Sequence, residues 1–238
     1  MVASDAIICV IPARGGSKRI PGKNIRLLAG RPLIAHPIRA ALASGCFARV
    51  VVSTDDPAIA AIAREHGAET PFMRDASLAD DFTGTAEVIV DAIKRLGAQS
   101  SPCVCCLYPT APLVRPADLR NSLAKFRASG AYSMNSTTDY DFPPLRAFRI
   151  SDDGRIAFNW PQYELTRSQD LPRLVHDAGA FYWLDTARFL KRQRLVGEDS
   201  IAWPMERLRA VDIDTEEDFH VAEFLMRYHA EIDADVGR

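Results

Sequence analysis

No run of apolar residues in this 238-residue chain approaches the roughly 20 that a membrane-crossing helix needs. The longest, Ala6–Pro12, is the length of a strand. The first residues lack the basic-then-apolar order of a secretory leader. Cysteine is sparse: there are five, an odd number, which excludes a disulfide scaffold. Three of them, Cys103, Cys105 and Cys106, fall in one apolar run, so buried structural thiols are expected there rather than a metal centre. These absences predict a reduced, cytoplasmic protein with no membrane partner. Repeats, low-complexity tracts and an obvious linker are missing too. With 47% hydrophobic residues the chain can build a substantial core as a single domain over 1–238.

One absence is local. Between Ala6 and Thr54 there is no Asp or Glu, while Arg14, Lys18, Arg19, Lys23, Arg26, Arg31, Arg39 and Arg49 all fall there. That block carries +8 and the remainder of the chain −10, for a net charge of −2. A basic block suggests an anionic ligand. The acidic remainder would repel nucleic acid, so a small phosphorylated molecule is the better fit.

Hydrophobic patterning alternates between strand and helix. Ala6–Pro12, Arg49–Ser53 and Cys103–Leu107 are apolar throughout and predict buried strands. Thr70–Arg74, Ala131–Thr137, Gly179–Leu184 and Val211–Asp214 are further strand candidates. Helices are expected over Pro32–Gly45, from Asp56-Pro57 to Gly67, over Thr85–Leu96 and over Pro116–Ala128, and one opens at Thr215 with Asp218 three residues on. The alternation predicts a three-layer α/β/α fold with a mostly parallel sheet. Residues 138–175, broken by prolines and carrying an Asp152-Asp153-Gly154 hairpin turn, read as an excursion from that sheet.

The strongest chemical signal is the loop Ile11-Pro-Ala-Arg-Gly-Gly-Ser-Lys-Arg-Ile-Pro-Gly-Lys-Asn24, directly after the first strand. In open α/β sheets ligands bind at that end. Gly15 and Gly16 let backbone amides approach an anion, and Arg14, Lys18 and Lys23 supply charge for a polyphosphate. It is not a Walker A loop: five residues separate Gly16 from Gly22-Lys23, and Asn24 stands where Ser or Thr belongs. A second signal is Asp212-Ile-Asp214, whose carboxylates share one face of an extended segment. Alone the pair could simply begin a helix; beside a polyphosphate loop it suits a hard cation such as Mg²⁺. Arg167 could pair with a substrate carboxylate, and His176 could act as a base or a donor. Asp80-Asp81-Phe82-Thr83-Gly84-Thr85 could bind sugar hydroxyls or cap a helix, and capping is the default expectation.

Together these segments resemble the cytidylyltransferases that activate nonulosonic acids, the relatives of sialic acid. The resemblance runs from the glycine-rich loop through Val50–Asp56, Phe72–Asp81, Tyr108–Arg115 and Val211–Phe219, nearly the whole chain. Phe142-Pro143 with Arg146, Leu165–Leu171 and His176–Trp183 are similar to the branch that uses pseudaminic acid. Acylneuraminate enzymes commonly have Gln where this chain has Tyr108, and Arg-Pro-Asn-Gly where it has His176–Gly179. The resemblance implies a nucleotidyltransferase, Rossmann-like fold, a homodimer with residues 138–175 as a protruding dimerisation and sugar-binding segment, and CTP as substrate. It implies that Ala13, Arg14, Gly15, Gly16, Ser17, Lys18, Lys23, Asn24, Arg74, Thr83, Tyr108 and Thr110 hold CTP. Tyr108, Arg146, Arg167, Gln169, His176 and Asp177 would meet the sugar acid. Asp212 and Asp214 would hold Mg²⁺, with Arg14 and Lys23 assisting catalysis.

Overall fold

The computed structural model describes residues 6–80 and 82–236. In chain order the elements are β1 (Ile8–Pro12), the short pair β2 (Leu27–Leu28) and β3 (Arg31–Pro32), α1 (Ala35–Ser44), β4 (Arg49–Ser53), α2 (Pro57–Glu65), α3 (Thr85–Arg95), β5 (Cys103–Leu107), α4 (Pro116–Ser129), β6 (Ser133–Asp139), β7 (Phe148–Ile150), β8 (Ile156–Phe158), β9 (Val175–Asp185), α5 (Thr186–Arg192), β10 (Ser200–Pro204) and α6 (Glu216–Val236). The apolar runs become the centre of a six-stranded sheet ordered β10-β6-β9-β5-β1-β4. Only β9 runs against its neighbours, antiparallel to both β5 and β6; the remaining pairs are parallel.

Side chains of β1, β4 and β5 alternate between two cores. Cys9, Ile11, Val50, Val52, Cys105 and Leu107 face α1, α2 and α4 through Ile38, Ile59, Leu119 and Phe126. Ile8, Val10, Val51, Val104 and Cys106 face α3 and α5 through Ile89, Ile93 and Phe189. Burial on both faces explains why these strands read as continuous apolar runs, and each buried Val or Ile contributes about 1.5–3 kcal/mol. The three-layer arrangement follows. Trp183 of β9 anchors the first core: its ring stacks on Phe47 at 5.5 Å and its Nε1 donates to Ser122 Oγ at 2.8 Å. The β5 cysteines are buried, and burial pushes the Cys103 thiol up to about 11.

The caps match the residues that specify them. Asp56 accepts from the amides of Ala58 (2.7 Å) and Ile59 (3.4 Å) ahead of Pro57, while Gly45 and Gly130 close α1 and α4 in the left-handed region. At the start of α6, Thr215 and Asp218 exchange hydrogen bonds as a capping box. Among the described residues no helix is long and apolar enough to cross a membrane.

Two expected strands do not form. Thr70–Arg74 is irregular: only Glu69 bridges β4, exchanging bonds with Val50 and Val52 at 2.8 and 2.9 Å. Pro71 has no amide to continue that ladder. Val211–Asp214 pairs with no strand either. Its Ile213 instead fills a satellite core with Ile20, Leu28, Leu33, Phe219 and Ala222 beneath α6. Residues 140–174 leave the main sheet, and β7 and β8 pair only with each other. This excursion displays apolar side chains to solvent, with Leu165 93% and Phe142 83% exposed.

Candidate active site

The segment after β1 stays close to the sheet because Ala13 donates to the Ser53 carbonyl at 3.0 Å. Gly15 then donates to Asp55 Oδ1 at 3.1 Å. A Cβ on Gly15 would lie 2.7 Å from Asp56 Oδ2, so only glycine allows this approach. Gly22, at φ 65°, turns the chain into a 3₁₀ turn over Lys23–Ile25. Asn24 closes the loop by donating to the Arg14 carbonyl at 2.9 Å, and its Oδ1 is buried without a partner.

The loop forms one wall of a cleft of about 560 Å³ at the carboxyl ends of β1, β4 and β5. Arg14, Ser17, Lys18, Arg19, Lys23 and Asn24 line that wall, facing Arg74, Thr83, Tyr108 and Thr110. Every side chain from Arg14 to Thr110 that the sequence marks for the nucleotide is therefore brought together. Ala13, Gly15 and Gly16, also expected to hold CTP, do not line the cleft, and the amides of Ala13 and Gly15 are spent on the Ser53 carbonyl and Asp55.

Several contacts order this charge. Arg14 Nη1 reaches the Asp80 carbonyl at 2.9 Å. Asp80 Oδ1 accepts from the amides of Phe82 and Thr83, at 3.0 and 2.7 Å, and from the Thr83 hydroxyl at 2.7 Å. Asp80 thus closes a turn ahead of α3, whose N-cap is Gly84 with no side-chain bond; the helix-capping expectation for this segment does not hold at Asp80. Asp81 lies outside the described residues. Arg74 is buried and donates to the Ser53 carbonyl at 2.9 Å, while its Nε has no partner. Burial lowers its guanidinium pKa, with the Asp55 charge opposing that shift.

Asp212 and Asp214 flank the cleft from the α6 side. Ile213 packs into the satellite core between them, while Asp212 is exposed and Asp214 partly exposed. Lys23 Nζ donates to the Ile213 carbonyl and stands 3.5 Å from Asp214 Oδ1, which Arg19 Nη2 also meets at 2.9 Å. Arg19 is the site residue that motif reading left unassigned; its place in the acid-free block was the available signal. Asp212 has its carboxyl pKa raised, first by burial and then by the Asp214 charge.

The side chains expected to meet the sugar are more scattered. Only Tyr108 lines the cleft. Arg146 donates to the Thr166 carbonyl and its Nε is buried without a partner. Arg167 pairs with Asp170 at 2.6 Å, and Gln169 sits exposed in the turn between them. His176 and Asp177 lie at the start of β9, beside a smaller hollow of about 220 Å³. His176 packs 4.7 Å from the Tyr140 ring, and its Nδ1 is 2.8 Å from the Asp177 carbonyl oxygen.

This architecture recurs in known proteins. A solved CMP:2-keto-3-deoxy-manno-octonic acid synthetase complexed with CTP superposes with a TM-score of 0.69, covering 94% of this chain and 100% of that one at 18% identity. In sequence, the chain is 38% identical over 226 residues to the pseudaminic acid cytidylyltransferase of Campylobacter jejuni, spanning 94% of this chain and 97% of the relative. It is 32% identical over 234 residues to the CMP-N,N'-diacetyllegionaminic acid synthase of Legionella pneumophila, spanning 94% and 98%. The cytidylyltransferase family model matches residues 8–234, and over that span the basic loop, the cleft and the paired aspartates all fall within one match: the chain belongs to the cytidylyltransferase family.

Proposed function

We propose that the protein transfers CMP from CTP to the anomeric hydroxyl of pseudaminic acid, releasing pyrophosphate. The observation that carries this is the cleft itself, which gathers Arg14, Lys18, Arg19, Lys23 and Arg74 at the end of the sheet. The choice of sugar rests on the Campylobacter relative, similar over almost its full length. The same reaction on legionaminic or N-acetylneuraminic acid is the second reading, favoured by the Legionella relative at 32% identity.

In this reading the triphosphate lies along the basic loop. Lys23 and Arg14 offset the charge that builds on the α-phosphate and the leaving pyrophosphate, and alignment carries the rest of the rate. The anomeric oxygen forms a bond to the α-phosphorus while the bond from that phosphorus to the bridging oxygen breaks. The hydroxyl proton leaves to a base or to solvent. The donor set of Asp212 and Asp214 fits Mg²⁺: hard oxygens, with the Asp212 pKa raised by burial first and then by the Asp214 charge, a repulsion that a dication would relieve. Among the described residues no third acidic, His or Cys side chain joins them, which leaves room for phosphate oxygens and water as the other ligands. Bound there, Mg²⁺ would neutralise phosphate charge and lower the pKa of the attacking hydroxyl. Arg19 and Lys23 hold Asp214 until the phosphates arrive.

We also read the exposed apolar surface of residues 140–174 as the contact between two subunits of a cytoplasmic homodimer, placing Arg146, Arg167 and Gln169 toward a shared sugar site. The test is a product assay with CTP, Mg²⁺ and pseudaminic, legionaminic and N-acetylneuraminic acids in parallel, read by the mass of the CMP-sugar. Preference for pseudaminic acid is expected. Preference for another sugar would transfer the reading to that acid, and no product from any would defeat it.

A further inference from the structure

Two cations of the glycine-rich loop meet one carboxylate oxygen, and they differ in how firmly they are held. Asp214 Oδ1 lies 2.9 Å from Arg19 Nη2 and 3.5 Å from Lys23 Nζ. The Lys23 side chain is 17% exposed, and its ammonium also donates to the Ile213 carbonyl. The Arg19 side chain is 67% exposed, so its contact is a surface ion pair on a long, flexible stem. Asp214 itself is anchored. Its amide donates to Asp218 Oδ2 at 3.1 Å, and the preceding Ile213 is buried in the satellite core. Of the two cations, Arg19 is the one that can leave.

A dication on Asp214 would meet that guanidinium at contact distance. Either the guanidinium moves away or like charges crowd one oxygen, and each outcome weakens metal binding. The cleft offers Arg19 a second place. It lines the same wall as Arg14, Ser17, Lys18 and Lys23. Phosphate oxygens along that wall would suit the flat, forked guanidinium, which binds them bidentately. A triphosphate would thus draw Arg19 off Asp214 and open the carboxylate in one step.

We propose that Arg19 is an exchangeable counter-ion, which guards Asp214 against divalent cations until a nucleoside triphosphate draws it to the phosphates, so that metal and nucleotide enter the site together. This rests on the functional reading above, which puts the triphosphate along the loop and Mg²⁺ on Asp212 and Asp214. It gives Arg19 two opposed effects: it strengthens nucleotide binding and weakens binding of the metal alone. Removing its charge should therefore move the two affinities in opposite directions.

The experiment uses the full chain and Mn²⁺ as the probe, with free Mn²⁺ read by electron paramagnetic resonance in the absence of nucleotide. CTP binding is measured by calorimetry in EDTA, and each variant is melted. Arg19→Gln should bind Mn²⁺ about tenfold more tightly, the scale of repulsion between a unit charge and a dication at contact in water. Its metal-free CTP affinity should fall about fivefold, the scale of one exposed ion pair. Arg19→Lys keeps the charge, so both affinities should stay within about threefold of the unaltered protein. Adding Asp214→Asn to Arg19→Gln should abolish the gain in Mn²⁺ affinity, which locates the metal. A residue that only braces the loop would weaken both ligands or neither, in step with Tm. Mn²⁺ binding by Arg19→Gln that is unchanged, weaker or undetectable would overturn the proposal. So would unchanged CTP affinity, an equal Mn²⁺ gain in Arg19→Lys, or a gain that survives Asp214→Asn. Failure of the unaltered protein to bind CTP with or without Mg²⁺ would instead sink the functional reading, and the proposal with it.

Discussion

Replacing Lys23 by Met removes one charge while keeping the length of the side chain, and it separates the two roles that the structure gives this residue. The ammonium holds the Ile213 carbonyl and stands 3.5 Å from Asp214, and it lines the cleft. The structural share is small. An ion pair whose carboxylate is 36% exposed and already shared with Arg19 at 2.9 Å is worth about 0–1 kcal/mol. The carbonyl bond adds about 1–2 kcal/mol. Together these should lower Tm by about 3–10 °C, which leaves a domain of ordinary stability folded at 25 °C. The chemical share is larger: one preorganised contact to developing phosphate charge is worth about 3–4 kcal/mol, or about 150- to 900-fold in kcat. Pyrophosphate release at saturating CTP and sugar acid reads kcat, and a melt reads the fold. A kcat within tenfold of the unaltered enzyme would refute the placement of Lys23 on the reacting phosphates.

Three further outcomes are expected. Gly15→Ala forces a Cβ to within 2.7 Å of Asp56 Oδ2, so the loop must shift; calorimetry should show CTP binding at least about tenfold weaker, and unchanged affinity would refute the close-approach argument. Asp118→Ala strands Arg209, which is buried and donates to both Asp118 oxygens at 2.5 and 3.2 Å; the cost of about 3–5 kcal/mol should appear as a Tm drop of about 6–20 °C, and a drop under about 2 °C would contradict it. His36 has its pKa lowered by burial, so the unfolded chain takes up that proton first; stability should fall as pH drops below about 6.5, and melts across that range should show a shallower pH dependence in His36→Gln.

The sequence was most legible where one local rule decided the outcome. Burial on both faces made β1, β4 and β5 visible as apolar runs, and Asp56-Pro57 marked the start of α2 to the residue. The glycine-rich loop was legible because its charge, its glycines and its place after a strand all agree. What escaped depended on partners distant in the chain. Val211–Asp214 has the alternation of a strand, yet its apolar residue packs against Ile20 and Phe219 instead of a sheet neighbour. The edge strand Ser200–Pro204 is as long as β1, β4 and β5 but too mixed to announce itself, and its one strand partner is β6. The sugar residues were hardest, because Arg146 and Arg167 sit on an excursion whose position relative to the cleft no local pattern encodes.

The link between Lys23 and Ile213-Asp214 joins positions 190 and 191 residues apart. During synthesis the glycine-rich loop leaves the ribosome well before the residues that steady its lysine. The central strand β9, which both β5 and β6 need as a neighbour, also arrives only as residues 175–185 emerge. A chain stalled before residue 211 would carry every basic residue of the loop without the carbonyl and carboxylate that steady Lys23. Lys23 is thus steadied only once residues about 190 positions further along the chain have been made, and nucleotide binding would report that synthesis had passed residue 214.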